Sequence, residues 1–196
     1  MHITFLGRGP VATNLSALAK RVGHTTTLTG RDTDPGFADA ALKADMVVLA
    51  IPYRATPELL PTLRDALAGK IVVDATNPLN EDWSPMTLAG GMSAAETIAD
   101  AIPQSRMVKA FNTVFADIMT PDGLDRNGTP ATTFIAGEDP DARAFVVKLA
   151  EDLGFGPVQV GQLSVARHLE ALAHLNIAIA VGQNGGTQAA ILYDKR

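Results

Sequence analysis

A short glycine pattern near the start of the chain constrains its fold more than any other feature. It follows an apolar run at residues 3–6 and opens a segment, residues 11–22, whose apolar residues have helical spacing. In such a strand–turn–helix unit the first glycine permits the tight turn, the second lets a pyrophosphate approach the backbone, and the alanine allows close packing. The new helix adds free N–H groups and the positive end of its dipole. The pattern predicts a dinucleotide-binding turn formed by Gly7, Arg8, Gly9, Pro10, Val11 and Ala12.

Further along the chain, strand-like and helix-like segments alternate. Such alternation predicts βαβ units and a parallel sheet. The apolar runs at 47–51 and 71–73 lack a polar face, as expected for strands covered by helices on both sides. We therefore predict an α/β fold of the doubly wound Rossmann type with a mainly parallel sheet. The further strands are predicted at 25–29, 46–50, 71–74, 107–110, 132–136 and 157–160, and the helices at 36–43, 57–67, 94–101 and 141–153.

The last third of the chain has a different pattern. Residues 164–181 read as one long helix with Ser164 as its N-cap, apolar nearly all round and therefore buried in the subunit or against a partner. Residues 189–193 are predicted to form a short final strand. We expect one domain, residues 1–196, with a dinucleotide-binding core at 1–137 and a C-terminal helix-and-strand extension at 138–196. That extension is too short for a separate substrate domain, so the second substrate should lie on the cofactor domain itself.

The end of the second predicted strand indicates which dinucleotide fits. Folds that prefer NAD place Asp or Glu there, about 20 residues past the glycines, to hold the ribose 2′-hydroxyl. Here Thr29, Gly30 and Arg31 occupy the position, and a hydroxyl, a backbone N–H and a guanidinium suit a 2′-phosphate. Asp32 is interpreted as capping the next turn, and Arg8 either touches the cofactor or faces water. We predict NADP(H).

Three loops follow the third, fourth and fifth predicted strands, at the carboxyl edge where open α/β sheets bind ligands. In the last of them, Asn112 and Thr113 would face the crevice, where they could position a carboxamide or a ring acceptor. Lys109, in the strand before them, is expected to be exposed. We predict no catalytic acid, base or nucleophile. The positions predicted to line the ribose and nicotinamide are Ala50, Ile51, Pro52, Tyr53, Asn77 and Pro78.

Composition excludes several other classes of site. The chain has no cysteine, which excludes disulfides, thiolate-bound metals and thiol catalysis. The four histidines lack metal-ligand spacing, so we predict no metal site, and His168 and His174 are interpreted as ordinary helix residues. A net charge of −5 without a basic run argues against nucleic acid. No apolar run approaches about 20 residues and no signal peptide is visible, so we expect a cytoplasmic protein that does not enter the membrane.

The ordered motifs resemble those of a known family. The glycine turn, Gly30-Arg31, Ile51-Pro52, residues 74–79 and residues 108–114 occur in the order found in NADPH-dependent coenzyme F420 reductases and related bacterial dinucleotide-binding enzymes. The resemblance covers nearly the whole chain. The sequence also resembles the NADPH-binding domains of STEAP-type metal reductases. It resembles the N-terminal domains of pyrroline-5-carboxylate reductases more distantly.

The resemblance implies roles for particular residues. Residues 7–12 would bind the pyrophosphate and residues 29–31 the 2′-phosphate, while Ile51, Pro52, Asn77 and Pro78 would line the nicotinamide side. Hydride would pass directly to a stacked deazaflavin, with catalysis by proximity and orientation. Archaeal members carry a histidine at the position of Asn112 and hydroxyl residues at those of Ala171 and Ala173.

These differences leave three candidates for the electron acceptor, namely coenzyme F420, FMN and FAD. One alternative is a dimeric reductase or dehydrogenase of a small imine or hydroxy acid, with the apolar residues 169–181 at the dimer contact. Another is an NADP-sensing module without turnover. In the favoured reading the partners are the cofactor and a small-molecule acceptor, and the protein is a homodimer.

Overall fold

The computed structural model describes residues 1–194, apart from the side chain of Ala89. One sheet of seven strands has the order β2-β1-β3-β4-β5-β8-β9, parallel throughout except between β5 and β8. A separate two-stranded hairpin consists of β6 and β7. The strands are β1 (His2–Leu6), β2 (Thr25–Thr29), β3 (Met46–Leu49), β4 (Ile71–Asp74), β5 (Arg106–Lys109), β6 (Asp125–Arg126), β7 (Thr129–Pro130), β8 (Thr132–Gly137) and β9 (Gly156–Gly161). The predicted fold class is confirmed.

Helices cover both faces of this sheet, and the two largest apolar cores lie between the sheet and the helices. All residues of β3 and β4 are buried, which explains why their sequences lack a polar face. No helix within residues 1–194 is long and apolar enough to cross a bilayer. The helices are α1 (Pro10–Arg21), α2 (Phe37–Leu42), α3 (Thr56–Leu59), α4 (Arg64–Leu67), α5 (Ala94–Ala101), α6 (Pro121–Leu124), α7 (Pro140–Asp152) and α8 (Ala166–Ile177).

The helix predicted at 57–67 is wrong as a single element. It is divided into α3, a 3₁₀ turn at Leu60–Leu63, and α4. Pro61 lies in that turn, and a proline inside a helix removes one backbone donor and clashes with the preceding turn. The apolar spacing identified the buried face of the segment correctly, while the proline sets its breaks.

The C-terminal part differs from the prediction in three respects. A 3₁₀ turn at Leu163–Val165 precedes α8, so Ser164 is not its N-cap, and a π-helical turn at Ala178–Gly182 follows it. The strand predicted at 189–193 is absent from the described residues. That segment forms one backbone bond to β8, from Thr132 N to Ile191 O (3.0 Å), and then Tyr193 N donates to the Thr132 hydroxyl (2.8 Å), so no ladder continues.

The C-terminal helix, predicted to be buried in the subunit or against a partner, is buried on one side only within the single chain. Leu169, Ala173 and Ile177 face the protein, whereas Leu175 is 58% exposed and Ile179, in the following π turn, 49%. These positions lie on opposite sides of the helix because of its 3.6-residue period. One wall of α8 is therefore free to form part of a site, and the other presents apolar side chains to solvent. Residues 195 and 196, the last of the predicted extension, lie outside the described residues.

Candidate functional site

The glycine turn joins β1 to α1 at the carboxyl edge of the sheet, where β2 and β3 flank β1. Gly7 has φ of +135° and its N–H donates to the Thr29 carbonyl oxygen at 2.9 Å. A Cβ at Gly7 would lie 2.2 Å from the Ala50 carbonyl oxygen, whereas a Cβ at Gly9 would meet no protein atom within 4 Å. Protein packing thus requires the first glycine but not the second, and the space above Gly9 is open in front of the α1 N-terminus.

The end of β2 lies beside this turn. A Cβ at Gly30 would lie 3.2 Å from Cδ of Arg8, so the Arg8 side chain crosses over the β2 tip, and Arg31 is exposed next to it. Two guanidinium groups therefore belong to this corner. The Thr29 hydroxyl is fully buried and bonded to Thr33 Oγ1 (2.8 Å) and the Pro35 carbonyl oxygen (2.9 Å). It faces the protein, contrary to its predicted role as a phosphate ligand.

A cleft of about 380 Å³ opens beside the α1 N-terminus, between the ends of β4 and β5 and helix α8. Most of its wall is apolar, as in small-molecule sites generally. Asp117 is the single ionisable side chain on its wall among the described residues. The lining residues are Pro10, Val11, Ala75, Asn77, Leu79, Trp83, Phe111, Asn112, Thr113, Val114, Phe115, Ala116, Asp117, Ala173, Asn176, Ile177, Val181 and Thr187.

Two amide side chains are locked together at the base of this cleft. Asn112 Nδ2 donates to Asn77 Oδ1 (2.9 Å) and to the Leu169 carbonyl oxygen (3.1 Å), and Asn77 Nδ2 donates to the Asn112 carbonyl oxygen (2.8 Å). These bonds leave Asn112 Oδ1 buried without a partner, and Thr113 Oγ1 beside it is buried and unpartnered too. An unsatisfied buried polar atom costs stability, so two in one cleft mark a place where a ligand can supply the missing bonds.

Not every predicted position reaches the cleft. Tyr53 is packed into the core beneath β3 and β4, because the chain after Pro52 turns into a short 3₁₀ helix, so its predicted cofactor contact is wrong. Pro78 is buried and lines a second, smaller cavity. Ile51 and Pro52 lie at the β3 tip, outside the cleft wall. Of the positions predicted there, Asn77, Asn112 and Thr113 are the ones that the fold brings together.

A buried charge cluster holds this region together, and the prediction that Lys109 is exposed is wrong. Lys109 is fully buried, with Nζ 2.8 Å from Asp74 Oδ2, 3.0 Å from Glu170 Oε1 and 2.7 Å from the Thr76 carbonyl oxygen. Burial alone would lower the pKa of Lys109, but the Asp74 and Glu170 carboxylates together raise it above its ordinary value. Lys109 is therefore a cation that ties β5, the β4 loop and α8 to one another.

The carboxylates of this cluster also bind backbone donors. Asp74 Oδ1 accepts from Thr76 N (2.8 Å), and Glu170 accepts from Ala94 N (2.9 Å) and Ala95 N (3.1 Å) at the start of α5. The cluster thus fixes the α8 wall of the cleft. The sequence carried a signal for half of it, since Asp74 and Lys109 are charged residues within two of the predicted strands, which the structure pairs in register.

The second cavity, of about 210 Å³, lies on the other side of this cluster and contains His174. Burial lowers the pKa of His174 below its ordinary value, and the Glu170 carboxylate and Pro78 carbonyl oppose that shift only in part. Its Nε2 is buried without a partner among the described residues. His168, by contrast, is exposed on α8. Within residues 1–194, no group of three or more histidine, aspartate and glutamate side chains is placed to hold a metal ion.

The lowered pKa of His174 predicts a loss of stability in mild acid. Near pH 7 the imidazole is neutral in both the folded and the unfolded chain. As pH falls through about 6.5, the unfolded chain takes up the proton first, so the free energy of unfolding decreases down to the folded-state pKa. His174→Gln removes the titrating group and should flatten this part of the profile. Urea unfolding at pH 7 and pH 5 measures it, and parallel profiles for both proteins would exclude the effect.

Comparisons with known proteins agree with this arrangement. A family model described as NADP oxidoreductase, coenzyme F420-dependent, matches residues 12–78. An F420-dependent NADP reductase from Methanocaldococcus jannaschii is 29% identical over 148 residues, which are 73% of this chain and 65% of that protein. The metalloreductase STEAP3 of Rattus norvegicus is 32% identical over 136 residues, covering 69% of this chain but 26% of its own length. The chain thus spans less than two thirds of either relative.

A solved structure extends the similarity to the whole chain. A protein from Arthrobacter sp. FB24, provisionally named an F420-dependent NADP-reductase, superposes with a TM-score of 0.88 at 28% identity, covering 98% of this chain and 99% of that one. The matched segment of the family model begins at Ala12, at the end of the glycine turn, and contains the rest of α1, β2, β3 and β4 with its tip. The β4 tip forms one side of the cleft. The chain is therefore similar in sequence and in fold to coenzyme F420-dependent NADP oxidoreductases.

Proposed function

We propose that the chain is an NADP-dependent oxidoreductase that passes hydride between NADPH and a flavin-like acceptor, coenzyme F420 or FMN/FAD. The observation that carries the proposal is the pair of unpartnered atoms, Asn112 Oδ1 and Thr113 Oγ1, in an apolar cleft beside the glycine turn. A primary amide such as that of nicotinamide supplies what both lack, because its NH₂ can donate to Asn112 Oδ1 and its oxygen can accept from the Thr113 hydroxyl.

The other end of the cofactor fits the glycine turn. The open space above Gly9 and the first N–H groups of α1 suit a pyrophosphate, and Pro10 at the first helical position gives up no needed bond. Gly7, Val11 and Ala12 support the turn by packing, since Ala12 is fully buried and Gly7 sits against the β3 tip. We assign the adenosine side to the β2 end and the nicotinamide side to the cleft.

Arg31 and Arg8 supply positive charge for the 2′-phosphate at the β2 end. Arg31→Ala is expected to weaken NADPH binding by about 10- to 100-fold, because a charge-assisted hydrogen bond contributes about 1.5–3 kcal/mol, and to leave NADH binding unchanged. Calorimetric titration of both cofactors measures this. Arg21→Ala, in the last turn of α1, is the matched control and should alter neither affinity. Equal losses for NADPH and NADH would exclude the 2′-phosphate role.

The cleft favours direct hydride transfer. When bound, NADPH supplies the hydride with both electrons, the acceptor ring receives them, and any further proton comes from water. Asp117, the single ionisable side chain of the described cleft wall, is exposed and accepts a hydrogen bond from the Thr187 hydroxyl. The chain's main contribution is therefore orientation and exclusion of water. An imine or hydroxy acid substrate needs a proton partner beside the reacting carbon, which makes it the second candidate.

One assay separates these functions. Protein and NADPH are mixed with coenzyme F420, FMN, FAD, a small ketone or a small imine, and the nicotinamide absorbance is followed. Turnover with F420 or a flavin alone supports the proposal. Turnover with only the ketone or the imine supports the alternative reductase, and tight NADPH binding without any turnover supports a sensing module.

The remaining assignments are proposals of the same kind. We propose that residues 1–196 act as one domain, with the acceptor on the cofactor domain, and that the protein is a cytoplasmic homodimer. The exposed apolar side chains of Leu175 and Ile179, at 58% and 49% of their surface, support a subunit contact along this face of α8 and the π turn. Light scattering measures the mass in solution, and a monomeric mass would exclude the dimer.

A further inference from the structure

Trp83 occupies an unusual position at the mouth of the cleft. The loop after β4 folds back on itself, with Met86 N bonded to the Pro78 carbonyl oxygen (2.9 Å) and Asn80 N to that of Ser84 (2.9 Å). Trp83 lies at the tip, where its backbone N–H donates to the Asn80 carbonyl oxygen (3.1 Å) and its φ is +67°. That left-handed conformation favours glycine or asparagine, so the turn itself gives no reason for a tryptophan.

The indole is not used by the core either. Trp83 is 60% exposed, yet it lines the cleft together with Leu79 of the same loop. Phe111, another aromatic on the wall, is buried and packs against Phe155 with ring centroids 5.1 Å apart. Phe115, the third aromatic of the wall, is half-buried, so Trp83 is the aromatic side chain of the described cleft wall that offers most of its surface to an incoming ring.

We propose that Trp83 is the platform on which the planar ring of the electron acceptor stacks, an inference that rests on the proposed function. Hydride transfer requires the nicotinamide and the acceptor to lie face to face. The nicotinamide is assigned to the base of the cleft, at Asn112 and Thr113, so the acceptor lies on the open side, towards Trp83. The face of the acceptor ring that points away from the nicotinamide then needs a stacking partner. An indole provides an extended π-surface with few rotatable bonds. Trp83 is thereby a specificity residue for fused aromatic acceptors.

Since Trp83 is the single tryptophan of the chain, its emission reports an acceptor bound near the cleft, and the Trp83 variants then test the contact itself. The protein is saturated with NADP⁺, which cannot reduce an oxidised acceptor, and oxidised coenzyme F420 or FMN is then titrated. We expect saturable quenching of the tryptophan emission. Trp83→Asn, which suits the left-handed turn but removes the ring, should weaken acceptor binding about tenfold by calorimetry. Trp83→Phe should keep binding within about threefold, and NADP⁺ affinity should stay unchanged in both.

Phe145→Asn is the control, because Phe145 is an exposed aromatic on α7 outside the cleft wall, and it should alter neither affinity. Equal acceptor binding and turnover by the wild type and Trp83→Asn would overturn the stacking role while leaving the proposed function intact. An equal loss of NADP⁺ affinity in Trp83→Asn would assign the indole to the nicotinamide instead and would also overturn it. Failure of the wild type to bind either acceptor would overturn the proposed function and this inference together.

Discussion

Replacing Lys109 by methionine is expected to lower the free energy of unfolding by about 3–5 kcal/mol, the range found when one partner of a buried ion pair is removed. Methionine fills much of the same volume, so the loss is electrostatic. Asp74 and Glu170 would be left facing each other in the interior with no cation between them. Urea unfolding at pH 7 measures the change.

Lys148→Met provides the matched control, since Lys148 makes an exposed pair with Asp152 on α7 and such pairs contribute little. A second variant, Lys109→Met with Asp74→Asn, removes one of the stranded charges and should recover part of the loss. A small effect of Lys109→Met alone would contradict the view that this cluster fixes α8 against the sheet.

Alanine substitutions at the two glycines of the turn should separate the effect on protein stability from the effect on cofactor binding. Gly7→Ala is expected to destabilise the protein by more than about 3 kcal/mol, because its Cβ would lie 2.2 Å from the Ala50 carbonyl oxygen and its φ is +135°. Gly9→Ala should change stability by less than about 0.5 kcal/mol, since φ is −72° and nothing lies within 4 Å of its Cβ. The same methyl group occupies the space assigned to the pyrophosphate.

Gly9→Ala should therefore weaken NADPH binding about tenfold or more while the melting temperature stays close to that of the wild type. Calorimetric titration and thermal unfolding on the same preparation give both values. Gly36→Ala is a fair control, as Gly36 is another helix N-cap with extended backbone and nothing closer than 4.0 Å to its Cβ. Unchanged NADPH affinity in Gly9→Ala would show that no cofactor approaches this turn.

Local chemistry explains why much of the fold could be predicted from the sequence. The strands β2 and β4 and the helix α5 have the predicted bounds. β2 is rich in β-branched threonines, β4 begins with three apolar β-branched residues, and a Ser93–Glu96 capping box starts α5. The glycine turn was also predictable, because no residue other than glycine fits at position 7, against the end of β3. Pro61 shows the limit of prediction from apolar spacing. The spacing identifies a buried helix face but does not show where the backbone hydrogen bonds of the helix are interrupted.

Features that depend on contacts between distant segments could not be predicted from the sequence. Lys109 looks like an exposed strand residue until Glu170, 61 positions later, is brought to its ammonium group. The Thr29 hydroxyl suits a phosphate by chemistry, but Thr33 and Pro35 turn it inward. Trp83 carried no motif, because its role follows from the turn that brings it to the cleft.

We propose that the chain transfers hydride directly from NADPH to a flavin-like ring. The most direct test uses NADPH labelled with deuterium at both positions of its transferable ring carbon, with oxidised coenzyme F420 as the acceptor, and mass spectrometry of the product. We predict one deuterium in each molecule of reduced F420, held on the ring carbon that receives the hydride. Reduced F420 without deuterium, or oxidation of NADPH with only a ketone or an imine present, would contradict the account.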